Sequence, residues 1–314
     1  MVMRYGVYLY PPRGSAEPDD LVRLAEGAER LGFHSVWLGD HVAWPGRFDA
    51  RDHHRDVGGK PPPPAAVESN VLEPITTLAF LAGRVDRVRL GVGVLVAPYR
   101  HPVLSAKMLA MLDVLSGGRL IVGIGAGWLR EEFQLLGSTS YEHRGTVTDE
   151  YIEVFRQLWV QDEPSFEGVY ARVSDLRLNP KPVQKPHPPI WVGGNGEAGL
   201  VRAARFGDAW MPLHQRPGEM SVKVARLIEL LEARGRDPGT VEVAVGCRFH
   251  LDWNAGGDTV GSSMVGTAAE LLERIGQYQQ AGVRQLNLIS EGYSSVDELL
   301  DAWDRFMREV VASV

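Results

Sequence analysis

Apolar residues in this chain come in short unbroken runs, separated by segments of helical periodicity. Val88 to Val96 and Leu120 to Ile124 are almost wholly apolar, as parallel strands buried on both faces are. Between them Leu104, Met108, Met111 and Leu115 recur at helical spacing, and Gly117-Gly118 stop the helix. Strand, helix and strand make one βαβ crossover. Both strands end unusually, with Gly91-x-Gly93 and Ala97-Pro98 on the first and Gly123-x-Gly125-x-Gly127 on the second. Glycines at such ends let backbone come close to a ligand.

The same grammar of helix end, glycine and buried strand repeats at Gly32, Gly83, Gly117-Gly118, Gly207, Gly235 and Gly282. Together with a first strand and PPIWVGG it predicts eight strands, near 5–9, 34–39, 88–96, 120–125, 189–193, 208–212, 241–249 and 284–289. Helices are expected at about 18–31, 74–84, 102–116, 197–206, 218–234, 268–280 and 295–311. This α/β alternation is that of a single (β/α)8 TIM barrel with insertions, covering residues 1–314. A doubly wound sheet is the main rival. Residues 128–188 read as an insertion after the fourth strand: an amphipathic helix through Val147, Tyr151, Val154, Phe155, Leu158 and Trp159, a hairpin, and a proline-rich return. Residues 44–70, rich in proline, glycine and charge, read as a long lid loop.

Composition narrows the function. The chain has 314 residues, 44% hydrophobic and 23% charged, with a net charge of -7. That balance argues against a nucleic-acid or anionic-membrane partner. Cys247 is the sole cysteine, so a reducing cytoplasm is the expected location. No apolar run spans a bilayer and MVMRYGVYLY reads as a strand, not a leader.

In barrels of this kind the chemistry sits at the carboxyl ends of the strands. Strand two offers Asp40-His41, strand three Gly93, Val94 and Val96, and strand four Ala126, Gly127 and nearby Glu131. Strand five offers Gly193-Gly194-Asn195-Gly196, and strand six His214. An imidazole beside a carboxylate suits proton transfer or polarisation near neutral pH; the alternative is a histidine capping a turn. The GGNG loop opens a helix, where backbone N–H groups hold anions; the alternative is a plain βα turn. His53-His54 between Asp52 and Asp56 has no third ligand at metal spacing, so no metal site is expected. GIGAG lacks the remaining features of a dinucleotide fingerprint.

Taken together, AERLGFHSVWLGDHV, LGVGVLVAPYRHPVLSAKMLAMLDVLSGGRLIVGIGAGWLREEF, RGTVTDEYIEVFRQLW, PKPVQKPHPPIWVGGNGEAGLVRAARFGDAWMP and VGTAAELLERIGQYQQAGV resemble the luciferase-like monooxygenase superfamily. The resemblance implies a (β/α)8 barrel that binds FMN or the deazaflavin coenzyme F420. The chain is most similar to the F420-dependent oxidoreductase branch, in which an Asp-His pair closes strand two as Asp40-His41 does. That branch implies His41 as the proton-handling residue and a non-proline cis peptide at Gly93-Val94. It implies that Asp40, Gly93, Val94, Val96, Ala126, Gly127 and Glu131 line the coenzyme, and that Gly193, Gly194, Asn195 and Gly196 hold its phosphate end. Sugar-phosphate dehydrogenases of the branch carry a catalytic glutamate where Trp128 stands, so an apolar or aromatic substrate fits better. The implied reaction is hydride transfer between F420 and a small organic substrate. The alternatives are an FMN-dependent monooxygenase and a non-catalytic flavin-binding protein. The family also implies a homodimer.

Overall fold

Eight parallel strands close on themselves in the computed structural model, which describes residues 2–45, 70–138, 141–251 and 263–313. In chain order the strands are β1 (Arg4–Tyr8), β2 (Ser35–Leu38), β3 (Arg89–Val96), β4 (Leu120–Gly125), the short hairpin β5 (Phe166–Glu167) and β6 (Arg172–Val173), β7 (Ile190–Gly193), β8 (Ala209–Met211), β9 (Glu242–His250), β10 (Ser263–Val265) and β11 (Gln285–Ser290). The barrel runs β9-β11-β1-β2-β3-β4-β7-β8 and closes by a β8–β9 pairing. All eight barrel strands lie where the apolar runs predict them, and the open doubly wound sheet is excluded by closure. The added strand β10, parallel to the end of β9, had no counterpart in the sequence reading. It is three residues long, too short to make a periodic signal.

The described helices are α1 (Pro18–Arg30), α2 (Pro74–Ala82), α3 (Pro102–Leu115), α4 (Arg130–Leu135), α5 (Arg144–Val160), α6 (Glu197–Phe206), α7 (Pro217–Glu232), α8 (Ala268–Gln280) and α9 (Val296–Arg305). Their ends follow local chemistry. The Glu73 carboxylate caps α2 by accepting from the Thr76 N–H at 2.6 Å. Gly117 and Gly118, at φ 63° and 83°, turn the chain out of α3 in a conformation other residues resist.

On α3 the two ends of the apolar stripe face outward, while Met108 and Met111 are half-buried. Leu104 and Leu115 are 53% and 58% exposed. The face against the sheet is instead Ser105, Ala106, Leu109, Ala110, Leu112 and Asp113. Small residues allow close helix–sheet approach, and buried Asp113 is satisfied by the Gln184 backbone and side-chain amides. α5 seals this side, with Trp159 donating to the Ala106 carbonyl at 2.9 Å.

The barrel interior is packed. Tyr8, Trp37, Ile121, Trp191, Ala209, Met211 and Ala244 fill it. Near its base Ser35 Oγ accepts from Trp37 Nε1 (2.8 Å) and Gln285 Nε2 (2.9 Å), and Gln285 Nε2 also reaches Asn287 Oδ1 at 2.7 Å. Gly6 is required here, since a Cβ would lie 2.4 Å from Asn287 Oδ1.

β4 and β7 are direct neighbours, with Val122 opposite Ile190. The chain between them therefore leaves the barrel and returns to it. It carries α4, α5, the β5–β6 hairpin and the return, with cis bonds at Asn179-Pro180 and Lys185-Pro186. Of the loop expected at 44–70, residues 46–69 lie outside the described residues, and so do His53-His54. Among the described residues no helix is long and apolar enough to cross a membrane.

Candidate functional site

β2 and β3 run in register, Leu38 opposite Val92, so Asp40-His41 and the end of β3 leave the barrel side by side. The pairing of β3 with β4 slips between Val92 and Leu95, and the Gly93-Val94 peptide there is cis. The Tyr8 hydroxyl donates to the Gly93 carbonyl at 3.1 Å. The slip turns Val94 into the mouth. A Cβ on Gly125 would lie 2.5 Å from one Val94 methyl, and one on Gly193 would lie 2.8 Å from the other. Glycine at both positions makes room for Val94, which forms a small apolar floor.

Asp40 and His41 are adjacent in sequence and face different partners. Asp40 is 3% exposed. Its Oδ2 accepts from the Val96 N–H at 2.9 Å and from Arg100 Nη1 at 2.7 Å, and its Oδ1 accepts from Arg100 Nη2 at 2.8 Å. Arg100 also reaches Glu73 Oε1 at 2.8 Å. Burial pushes the Asp40 carboxyl up, and the two-pronged Arg100 contact works against that rise. The Asp40 carboxylate thus ties β2 to β3 and α2, and both its oxygens are engaged by the protein.

His41 is 22% exposed in its side chain, and its Nδ1 lies 2.9 Å from Glu132 Oε2. Glu132 stands in the first turn of α4 and is fully buried. Its Oε1 accepts from the Val42 and Ala43 N–H groups at 2.5 and 3.1 Å, and its Oε2 also accepts from the Tyr99 hydroxyl at 2.7 Å. Burial alone would raise this carboxyl. The hydrogen bond and charge of His41, the Tyr99 hydroxyl and the Val42 amide outweigh it and hold Glu132 below the usual carboxylate range. Burial and the Glu132 charge push Tyr99 well above the ordinary phenol range, so it remains a donor.

Aromatic rings enclose the imidazole. Trp44 stacks on His41 at 4.3 Å between ring centroids, and Trp128 meets it edge-on at 5.8 Å. Behind Trp128 its carbonyl accepts from the Tyr141 hydroxyl at 2.9 Å, and Arg144 donates to the Gly127 carbonyl at 3.0 Å.

The structure brings most of the sequence-predicted residues to one end of the barrel. Gly127 is at φ 82° against Val96 and Phe133, where a Cβ would lie 2.6 Å from Val96. Ala126 is half-buried, and Glu131 is half-buried beside Glu132. In GGNG, Gly193 is buried while Gly194 and Gly196 are exposed, and Gly196 is the N-cap of α6. Asn195 Oδ1 accepts from the Leu213 N–H at 2.9 Å, and Gly194 O from Trp210 Nε1 at 3.0 Å, which fix the loop. His214 sits after β8 at φ 53°, its Nδ1 buried without a hydrogen-bond partner among the described residues. Burial, with Arg248 nearby, lowers its pKa to about 4, so it is neutral at pH 7.

Four residues escaped the sequence reading: Tyr8, Tyr99, Arg100 and Glu132. Glu132 is 91 positions from His41, and nothing in the acid pair Glu131-Glu132 says which one turns inward. Among the described residues no group of histidine, cysteine and carboxylate side chains is arranged to hold a metal ion.

Residues 3–256 match the family model described as luciferase-like monooxygenase. Over 188 residues the chain is 36% identical to the FMNH(2)-dependent dimethylsulfone monooxygenase of Pseudomonas putida, covering 59% of this chain and 46% of that protein. Over 226 residues it is 31% identical to the F420-dependent hydroxymycolic acid dehydrogenase of Mycobacterium tuberculosis, covering 71% of this chain and 56% of that protein. The chain thus spans about half the length of each of these relatives. Its fold matches that of monooxygenase RslO1 from Streptomyces bottropensis with a TM-score of 0.79 at 22% identity over 99% of both chains. With the family model matching most of its length, the chain belongs to the luciferase-like monooxygenase family.

Proposed function

We propose that this protein is an F420-dependent oxidoreductase that moves a hydride between the deazaflavin and a small organic substrate. The observation that carries this reading is the placement of His41. Its Nδ1 is tied to a buried carboxylate, and among the described residues no hydrogen-bond partner meets Nε2. Interconverting an alcohol and a carbonyl moves a proton together with each hydride, and His41 is a group suited to exchange that proton. The F420-dependent relative supports the same reading.

The residues present fit a flat tricyclic ring. Val94 gives an apolar floor, and Gly125 and Gly193 keep the wall beside it free of side chains. The exposed Gly194 and Gly196 at the start of α6 offer backbone N–H groups to a phosphate. Asp40 contributes by bracing β2 against Val96. Bound deazaflavin supplies a two-electron hydride donor or acceptor, and the protein supplies orientation and the proton. Trp44 and Trp128 beside His41 suit an apolar or aromatic substrate.

The second reading is an FMN-dependent monooxygenase, favoured by the 36% identity to the dimethylsulfone enzyme. Mixing the protein and reduced F420 anaerobically with a panel of aliphatic and aromatic carbonyls separates the two. Oxidation of the coenzyme without oxygen is expected for wild type. Turnover only with reduced FMN and oxygen would replace the first reading by the second.

A further inference from the structure

Nothing in the chemistry of an isolated imidazole decides which nitrogen carries the proton. Here the surroundings decide it. Glu132 Oε1 takes two backbone N–H donors and Oε2 takes the Tyr99 hydroxyl. The carboxylate has only acceptor sites to offer, so the remaining partner, His41 Nδ1 at 2.9 Å, must be a donor. A fully buried carboxylate costs several kcal/mol unless it is satisfied by donors, and here four converge on it. We infer that Glu132 is a positioning residue: it fixes His41 as the Nδ1–H tautomer and leaves Nε2 as a bare proton acceptor at the mouth of the barrel.

The assignment rests on the oxidoreductase reading for its catalytic consequence. In alcohol oxidation a deazaflavin held at the mouth would supply the acceptor for the hydride that leaves the carbinol carbon. The O–H proton passes to His41 Nε2 and the C=O double bond forms. In the reverse direction the imidazolium returns that proton to the carbonyl oxygen. Glu132 is fully buried behind His41, so it acts through the imidazole. It sets the tautomer and ring orientation, and it stabilises the imidazolium once formed, as a buried carboxylate does behind a catalytic histidine elsewhere. Tyr99 and the Val42 and Ala43 amides hold Glu132 in turn. A shift of α4 or of the turn after β2 therefore changes His41.

The test is 15N NMR of histidine-labelled full-length protein without coenzyme. The protein has nine histidines, and His41 is assigned from the signal missing in His41→Asn. Neutral His41 is expected as the Nδ1–H form with a bare Nε2. In Glu132→Gln, where an amide faces the ring, that preference is expected to be lost. Turnover with a secondary alcohol and F420 is expected to fall about 10²–10⁴-fold in kcat, with little change in KM. In Tyr99→Phe the carboxylate remains, so the tautomer is expected to be kept. That variant, with the wild-type spectrum, decides the matter if Glu132→Gln does not fold. An Nε2–H tautomer in wild type would overturn the assignment. So would an unchanged tautomer and kcat in Glu132→Gln, since a purely structural glutamate alters only the melting temperature. The spectrum needs no coenzyme, so it stands or falls apart from the choice between F420 and FMN.

Discussion

His34 and His41 flank the same strand, β2, at opposite ends of the barrel. At the base, His34 hands its backbone N–H to Tyr5 O and receives Arg89 N–H on its carbonyl. Its ring Nδ1 is buried without a hydrogen-bond partner among the described residues. Burial, with Arg4 and Arg89 adding positive charge, lowers its pKa to about 4. At the mouth, His41 Nδ1 faces the buried Glu132 carboxylate at 2.9 Å, and its other nitrogen meets no hydrogen-bond partner among the described residues. The residue type and the strand are the same. What separates the histidine at the base from the one proposed to handle a proton is the charge that meets it.

The contrast can be broken most severely at the mouth. His41→Ala should lower turnover by about 10²–10⁴-fold with the fold intact, read by steady-state kinetics and circular dichroism. His41→Asn keeps part of any hydrogen bond but carries no proton, and should be nearly as slow. An unchanged rate in the alanine variant at saturating coenzyme would place His41 with His34 among the structural histidines.

A smaller effect is expected from the floor. Gly193→Ala and Gly125→Ala each bring a methyl within 2.8 Å of a Val94 methyl. Displacing Val94 should weaken coenzyme binding about tenfold and cost about 1–3 kcal/mol of stability, read by fluorescence titration and thermal melting. Full affinity in both variants would remove Val94 from the coenzyme site.

The smallest effects are in the acid limb of stability, and the two ends should occupy different windows. His34 has a folded pKa below its ordinary 6.5, so the unfolded chain binds more protons between 6.5 and about 4. Stability is full above 6.5 and declines as pH falls through that range. His34→Gln should flatten this decline by on the order of 1 kcal/mol, after allowing for partial solvent screening. Glu132 is lowered from 4.5, so its contribution is full above 4.5 and is lost only as pH falls further, through its folded pKa. Glu132→Gln should flatten only that lower limb. Denaturant melts across pH check both, and a single shared window would contradict the contrast.

The two ends were also unequally legible in the sequence. The barrel strands are readable because parallel strands covered on both faces demand continuous apolar runs, as in Val88 to Val96. Asp40-His41 is readable because it closes such a run. Gly93, Gly125 and Gly193 are readable as absences of side chain, though not as the space that Val94 fills. Glu132 is not readable, because its role is made by a contact across 91 residues and by which face of a six-residue helix turns inward. The exposed ends of the α3 stripe show the same limit. Leu104, Met108, Met111 and Leu115 mark a helix correctly, but periodicity does not say which side the sheet will take.

The most direct test of the proposed function needs no substrate. Apoprotein titrated with F420 and with FMN, followed by coenzyme fluorescence at two salt concentrations, should bind the deazaflavin more tightly. Its anionic phospholactyl-glutamyl tail should make that affinity fall with added salt. Arg47, Arg51, Arg55 and Lys60 of the 44–70 loop are candidate partners for that tail, and they lie outside the described residues. Tight FMN binding with no measurable affinity for F420 would contradict the deazaflavin assignment and leave the oxygen-using monooxygenase in its place.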